Sequence, residues 1–220
     1  MHLGIIMDGN RRYAKKNLIE IIQGHKKGVD SLANIIDLCP KYSIDTLTVY
    51  AFSTENNHKR EETEVSNLFK IMISSIKKYK RSLIGKNVRV RILGKLQKLP
   101  ISLQESLNDI TESTKQGSKL LLQICLNYGG RSEIIEAVNQ AIKDGEKIIT
   151  EEIISKKLYS NLEPDIIIRP GGEYRLSNFL TWQSVYSELY FTETLWPNFD
   201  ENDLIKALDF YHSRKRRFGS

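Results

Sequence analysis

Gly4-Ile5-Ile6-Met7-Asp8-Gly9-Asn10-Arg11-Arg12 is the stretch whose reading decides the fold. An apolar run stops at an acid, a Gly-Asn turn follows, and two arginines come next. Unbroken apolar runs of this kind suit a strand covered on both faces. The acid and the arginines then sit at the lip of that strand. A carboxylate there can hold Mg²⁺ alongside phosphate oxygens, and guanidinium forks match phosphate geometry. The same Asp-Gly would serve as a turn or a helix cap; the neighbouring guanidiniums favour the phosphate reading.

A second run has the same chemistry: Ile166-Ile167-Ile168-Arg169-Pro170-Gly171-Gly172-Glu173-Tyr174-Arg175-Leu176-Ser177-Asn178. An ordinary Pro-Gly-Gly turn explains its bend but not the flanking Arg169 and Arg175. With Ser177 these make a second phosphate clamp, and Gly171 and Gly172 let backbone approach a ligand.

Further apolar runs span residues 3–7, 46–52, 88–93, 120–126, 165–168 and 188–191. Amphipathic helical patterns lie between them, at 28–38, 62–83, 102–115 and 131–143. In the first, Val29, Leu32, Ile35 and Ile36 share a face. In the second, Val65, Leu68, Phe69, Met72, Ile73, Ile76 and Tyr79 do. Ser102 with Glu105 reads as a capping box. Ile134, Ile135, Val138 and Ile142 read as the inward face of the 131–143 helix. Thr150 and Asp200 read as N-caps of two later helices. The alternation predicts an α/β fold: a single domain over residues 1–220, with a mostly parallel sheet of about six strands flanked by helices.

In such sheets ligands bind beyond the carboxyl ends of the strands. Four polar clusters fall there: residues 8–12; Ser53-Thr54-Glu55-Asn56; Asn127-Tyr128-Gly129-Gly130-Arg131; and residues 169–177. An amide is a poor base, so Asn56 would orient a group rather than remove a proton unaided. The same segment would also serve as a polar loop with a cap. His25, read as preceding the first long helix, would favour an anion there, or stand as a surface histidine. Glu188, inside an apolar strand, should meet a metal, an arginine or a subunit partner.

Composition narrows the class. The hydrophobic fraction is 40% and the charged fraction 27%, ordinary for a soluble domain. No apolar run approaches a membrane span, and Asp8, Arg11 and Arg12 interrupt any signal-peptide pattern. Cys39 and Cys125 are too few for a disulfide framework, which points to a reducing, cytoplasmic setting. The net charge of +6 favours anionic partners such as diphosphates, anionic lipid or nucleic acid. Walker A, G-x-G-x-x-G, zinc-spaced Cys/His and D-D-x-x-D motifs are all absent.

These motifs resemble the cis-prenyltransferase family, whose bacterial members include undecaprenyl diphosphate synthase. The resemblance runs through residues 6–15, 24–26, 47–56, 127–131, 168–180, 187–192 and 195–197, and ends at Arg216-Arg217-Phe218-Gly219. It implies repeated cis condensation of isopentenyl diphosphate onto an allylic diphosphate such as farnesyl diphosphate. The product implied is a polyprenyl diphosphate of the undecaprenyl type, a carrier-lipid precursor for cell-wall glycan. It further implies Mg²⁺ dependence, a homodimer, and an apolar tunnel whose product release brings the protein to a membrane periphery. By this resemblance Asp8 positions Mg²⁺ and the departing diphosphate, with Glu188 as second metal-site acid. Gly9, Asn10, Arg11, Arg12, Tyr13 and His25 line the allylic diphosphate site. Arg169, Arg175, Leu176 and Ser177 hold isopentenyl diphosphate. Asn56 takes the position of proton removal, with Ser53, Thr54, Glu55 and Lys59 close by in the substrate site.

The tunnel walls would be the apolar faces of 28–38 and 62–83, with Ala51 as floor. The chain departs from the family pattern at Tyr13, Ile21, Asn57, Lys59, Pro170 and Tyr174, where Ile21 and Lys59 stand in for arginines. A non-catalytic partner subunit is the competing reading, and such subunits lose the Asp8-type motif and the arginine clamp that this chain keeps. Nucleic-acid binding has only net charge in its favour, since interleaved aromatics and binding motifs are missing.

Overall fold

Six strands account for the apolar runs: β1 (His2–Ile6), β2 (Thr46–Ser53), β3 (Val88–Leu93), β4 (Leu120–Tyr128), β5 (Ile166–Pro170) and β6 (Glu188–Thr192). The structure is a computed structural model describing residues 1–54 and 61–214. The strands form one sheet in the order β3-β4-β2-β1-β5-β6, and every neighbouring pair is parallel. The predicted α/β sheet is therefore wholly parallel. Among the described residues seven α-helices flank it: α1 (Asn10–Lys16), α2 (Ile21–Leu38), α3 (Glu62–Gly85), α4 (Ile101–Thr114), α5 (Gly130–Lys143), α6 (Glu151–Lys157) and α7 (Glu201–Ser213).

Strand side chains alternate between two faces. On one face Leu3, Ile5, Leu47, Val49, Leu122 and Ile168 join Ile35 and Ile36 of α2 and Leu204 and Leu208 of α7 in the largest core cluster. On the other, Ile6, Tyr50, Cys125 and Ile167 pack against Phe179 and Leu180. A third cluster joins Phe52 and Leu126 at the strand ends to Val65 and Leu68 of α3 and Leu103 and Leu107 of α4. Arg89 and Arg91 are exposed because β3 is an edge strand.

The second face also buries a polar chain. His2 Nε2 lies 2.7 Å from Thr48 Oγ1, which donates to Gln123 Oε1 at 2.9 Å. Gln123 Nε2 donates in turn to Ser160 Oγ at 2.9 Å. These bonds satisfy groups that would otherwise be costly inside the protein.

Three local expectations are corrected. α2 begins at Ile21, two turns ahead of the apolar pattern, because its first turns pack through glycines. A Cβ on Gly24 would lie 2.4 Å from the Asn10 carbonyl oxygen, and one on Gly28 would lie 2.2 Å from Asn10 Oδ1. Apolar periodicity cannot register a face made of glycine. Ser102 and Glu105 form no capping box: α4 starts at Ile101 with Pro100 as N-cap and no side-chain cap, so Ser102 is already inside the helix. α5 is turned from its predicted orientation. Ile135 and Ile142 are exposed, while Glu133, Ala137 and Ala141 are buried. Glu133 can face inward because Tyr128 Oη donates to it at 2.5 Å, and Gln183 Nε2 and the Tyr159 backbone N–H donate as well. Burial still pushes its carboxyl above the usual range. The caps at Thr150 and Asp200 are present, the latter as a capping box with Asp203. Both cysteines are free and buried, and burial pushes the Cys39 thiol up to about 12.

Burial pulls the His2 imidazole down to about 4 from an ordinary 6.5. The unfolded chain therefore takes up a proton first on acidification, so stability is kept above pH 6.5 and lost as pH falls towards 4. Urea midpoints measured across this window should drop with a slope approaching about one proton, and His2→Gln should remove that slope. Equal slopes in the two proteins would show that His2 does not carry the effect.

Candidate active site

Parallel strands bring their carboxyl ends to one edge, and there β1 and β5 place the two arginine-bearing runs side by side. Gly9 takes the turn out of β1 at φ 110°, with Leu195 about 3 Å from where a Cβ would lie. α1 then starts at Asn10 and returns Arg12 to the strand end. Trp196, fully buried, fastens this corner: its backbone N–H donates to the Asp8 carbonyl at 2.9 Å and its indole N–H to the Gly28 carbonyl at 2.8 Å.

Arg169 organises the rim. Its side chain is 6% exposed. Nη1 donates to the Arg175 carbonyl and to Ser177 Oγ at 2.8 Å, and Nη2 donates to Asp8 Oδ2 at 3.0 Å. Its Nε is buried without an acceptor. The other Asp8 oxygen lies 3.1 Å from Arg12 Nη2, and Arg12 Nη1 donates to the Gly171 carbonyl. A Cβ on Gly171 would lie 2.8 Å from Arg12 Nη2, so glycine is what admits this guanidinium. Arg175 is largely exposed and pairs with Glu173, which also lies 3.8 Å from Arg12. Both acids at the rim are thus neutralised by guanidiniums that a diphosphate could recruit.

The loop that carries Ser177 is strained. Ser177, Asn178 and Leu180 have φ of 50°, 68° and 44°. Asn178 tolerates this conformation best and fastens the loop to α5: its carbonyl accepts from Gly130 N–H at 2.8 Å and its Oδ1 from Arg131 N–H at 2.8 Å. The leading amides of α5, at Gly130 and Arg131, are therefore occupied by Asn178.

Behind the rim lies a cavity of about 870 Å³. Asp8, Asn10, Arg12, His25, Ser53, Arg169, Arg175 and Ser177 line its polar mouth, and Ala51, Leu68, Ile71 and Met72 are among those lining its body. A smaller cavity of about 120 Å³ shares Val29, Leu32, Ser75, Ile76, Leu107 and Ile124 with it and continues between α2 and α3. The arrangement can hold a diphosphate at the mouth and an alkyl chain within.

Other expected site residues are placed differently from expectation, although His25 still lines the mouth. His25 is in the second turn of α2 rather than ahead of a helix, with Nε2 4.0 Å from Glu64 Oε1. Gly9, Arg11, Tyr13, Thr54 and Leu176 do not line the cavity. Arg11 lies 3.8 Å from Glu64, and Thr54 Oγ1 is 2.9 Å from where a Gly129 Cβ would lie. Leu176 packs on the Ile6 and Tyr50 cluster because its neighbours' left-handed turns direct it to the core. Glu188 does not join Asp8: it opens β6, level with Ile166, at the opposite edge of the sheet. It meets an arginine instead, Arg214, at 3.4 Å. Glu55, Asn56, Asn57, Lys59, Arg60 and residues 215–217 lie outside the described residues.

Glu173 and Asn178 lie within the second arginine-bearing run, but only the structure gives them roles. Glu173 stood between two arginines, which was a usable signal. Glu64 had none, since only the packing of α3 brings it to His25.

No group of three His, Cys, Asp or Glu converges among the described residues. A closed protein cage for a metal is thus lacking there. One partly exposed carboxylate, Asp8, at a mouth rich in phosphate-binding groups does fit an ion such as Mg²⁺, which keeps waters and shares substrate phosphates.

The family model described as undecaprenyl diphosphate synthase matches residues 6–219. An isoprenyl transferase of Fusobacterium nucleatum is 45% identical over 219 residues, 99% of this chain and 95% of that protein. Lavandulyl diphosphate synthase from Lavandula x intermedia, solved with dimethylallyl diphosphate, superposes with a TM-score of 0.94 at 32% identity, covering 100% of this chain and 98% of that one. A probable undecaprenyl diphosphate synthase from Campylobacter jejuni gives 0.86 at 32% identity, with the same coverage.

Asn178→Ala should loosen the Ser177 loop and weaken binding of inorganic pyrophosphate about tenfold by calorimetry, the worth of one lost cap. Unchanged affinity would show that Arg169 is held without it.

Proposed function

The chain belongs to the undecaprenyl diphosphate synthase family of prenyltransferases, and from that premise we infer that it condenses isopentenyl diphosphate onto an allylic diphosphate with cis geometry. The observation that carries this reading is the cavity itself: about 870 Å³ in all, with guanidiniums at its mouth and an apolar body behind them. That a structural neighbour was solved with an allylic diphosphate supports it.

In the condensation the allylic C–O bond breaks and diphosphate departs. The freed carbon bonds to the terminal methylene of isopentenyl diphosphate, which then loses a proton from C2. Arg12 would bind the departing diphosphate at the β1 lip. Arg169, Arg175 and Ser177 would bind isopentenyl diphosphate, with the buried Arg169 Nε as a donor still open. Asp8 would hold Mg²⁺, which supplies Lewis-acid charge to the leaving group. Asn56 would orient the diphosphate oxygen that takes the proton.

The chain would grow into the cavity between α2 and α3 as through a tunnel. Each buried CH₂ contributes about 0.8 kcal/mol, so a long product binds tightly and its release becomes slow. Farnesyl diphosphate as primer and an undecaprenyl-length product are part of this proposal. So are a homodimer and contact with a membrane at product release. Ile135 and Ile142, seven residues apart on one face of α5, are exposed, as are Val185 and Tyr186, and the α5 face would serve as the dimer surface.

Purified protein given labelled isopentenyl diphosphate, farnesyl diphosphate and Mg²⁺ should make a polyprenyl diphosphate, and chelation should stop it. Asp8→Ala should cut the rate about 100-fold or more, and Arg169→Lys should raise the KM for isopentenyl diphosphate about tenfold. Absence of product from the unaltered protein would refute the reading. Sedimentation should show a dimer, and Ile135→Asp with Ile142→Asp a folded monomer.

A further inference from the structure

The turn between α1 and α2 presents three apolar side chains to solvent. Leu18 is 94% exposed, Ile19 41% and Ile21 39%. The turn is built rather than frayed. Leu18 N–H donates to the Lys15 carbonyl at 3.3 Å and Ile19 N–H to the Ala14 carbonyl at 3.0 Å. Leu18 is held at φ 55°, a conformation leucine rarely adopts, and it turns this side chain outward. Exposed lysines stand on both sides: Lys15 and Lys16 at the end of α1, Lys26 and Lys27 on α2. Glu20 is the one acid between them in the sequence. None of the four lysines forms an ion pair with a described residue.

The patch adjoins the cavity. Ile21 precedes His25 by one helical turn, so the two share a face of α2, and His25 lines the mouth. Aliphatic side chains next to a cavity mouth, flanked by exposed lysines that pair with no described residue, match the two layers of an anionic bilayer surface: acyl chains below, phosphates above. Three side chains are too little area for a stable protein–protein interface. We propose that the Asn17-Leu18-Ile19-Glu20-Ile21 turn inserts into the surface of an anionic phospholipid membrane and sets the cavity mouth against it. The surface follows from exposure and charge; its use in passing a polyprenyl product to the bilayer rests on the function proposed above.

Co-sedimentation tests it with the full chain and two kinds of vesicle, pure phosphatidylcholine and equal parts phosphatidylglycerol and phosphatidylcholine. The protein should bind the mixed vesicles and lose most of that binding on pure phosphatidylcholine or in high salt. Leu18→Asp with Ile19→Asp should lower partitioning about tenfold. Lys15→Glu and Lys16→Glu should each lower it about fivefold. Product formation in detergent should be unchanged in all of them. Equal binding of variants and parent, or no binding by the parent, would overturn the proposal. So would a change of oligomeric state in the Leu18 and Ile19 variant, which would mean that another copy covers the turn. An active protein that ignores vesicles refutes the docking alone, whereas one that binds vesicles but makes no product in detergent refutes only the enzymatic reading.

Discussion

A guanidinium buried at the carboxyl end of a strand has to be paired, and the pairing of Arg169 shapes the functional rim. Its partners come from three places: Asp8 at the end of β1, the Arg175 carbonyl and the Ser177 hydroxyl. Leaving the buried guanidinium without these acceptors would cost more than the bonds contribute when made. Arg169 therefore fixes where the β1 lip lies relative to the loop after β5. The left-handed backbone of Ser177 and Asn178 is the strain accepted in return.

That strain is offset by α5. Asn178 gives its carbonyl and its side-chain oxygen to the first amides of the helix, which have no partners of their own within it. Glu133, three residues into α5, ties the same helix to Tyr128 on β4 and to Gln183 beyond the loop. The clamp is thus braced on one side by β1 and on the other by α5, while the cavity between α2 and α3 stays open and apolar.

Much of this was legible in the chain. Unbroken runs such as 120–126 announced strands covered on both faces, and the amphipathic stretches between them announced crossover helices. Once the sheet is parallel, every strand ends at the same edge, so Asp8, Arg12, Ser53, Arg169 and Ser177 had to gather there. What stayed hidden were faces without an apolar signature. The first two turns of α2 pack through Gly24 and Gly28, so the helix was read short and His25 was placed outside it. α5 turns a glutamate inward, because partners on other elements satisfy it, and leaves Ile135 and Ile142 in solvent. Glu188 was expected beside Asp8, yet its register with Ile166 sets it at the far edge.

The sequence by itself determined the kind and order of the elements and the residues that stand at each strand end. Those depend on side-chain periodicity and on the geometry of parallel crossovers, both of which are local. Only the tertiary structure decided which of these residues touch. The Asp8–Arg169 bond spans 161 positions and the Asn178–Arg131 cap spans 47. Such contacts depend on how helices seat on the sheet, through glycine notches and buried polar partners, and no periodicity along the chain records that seating.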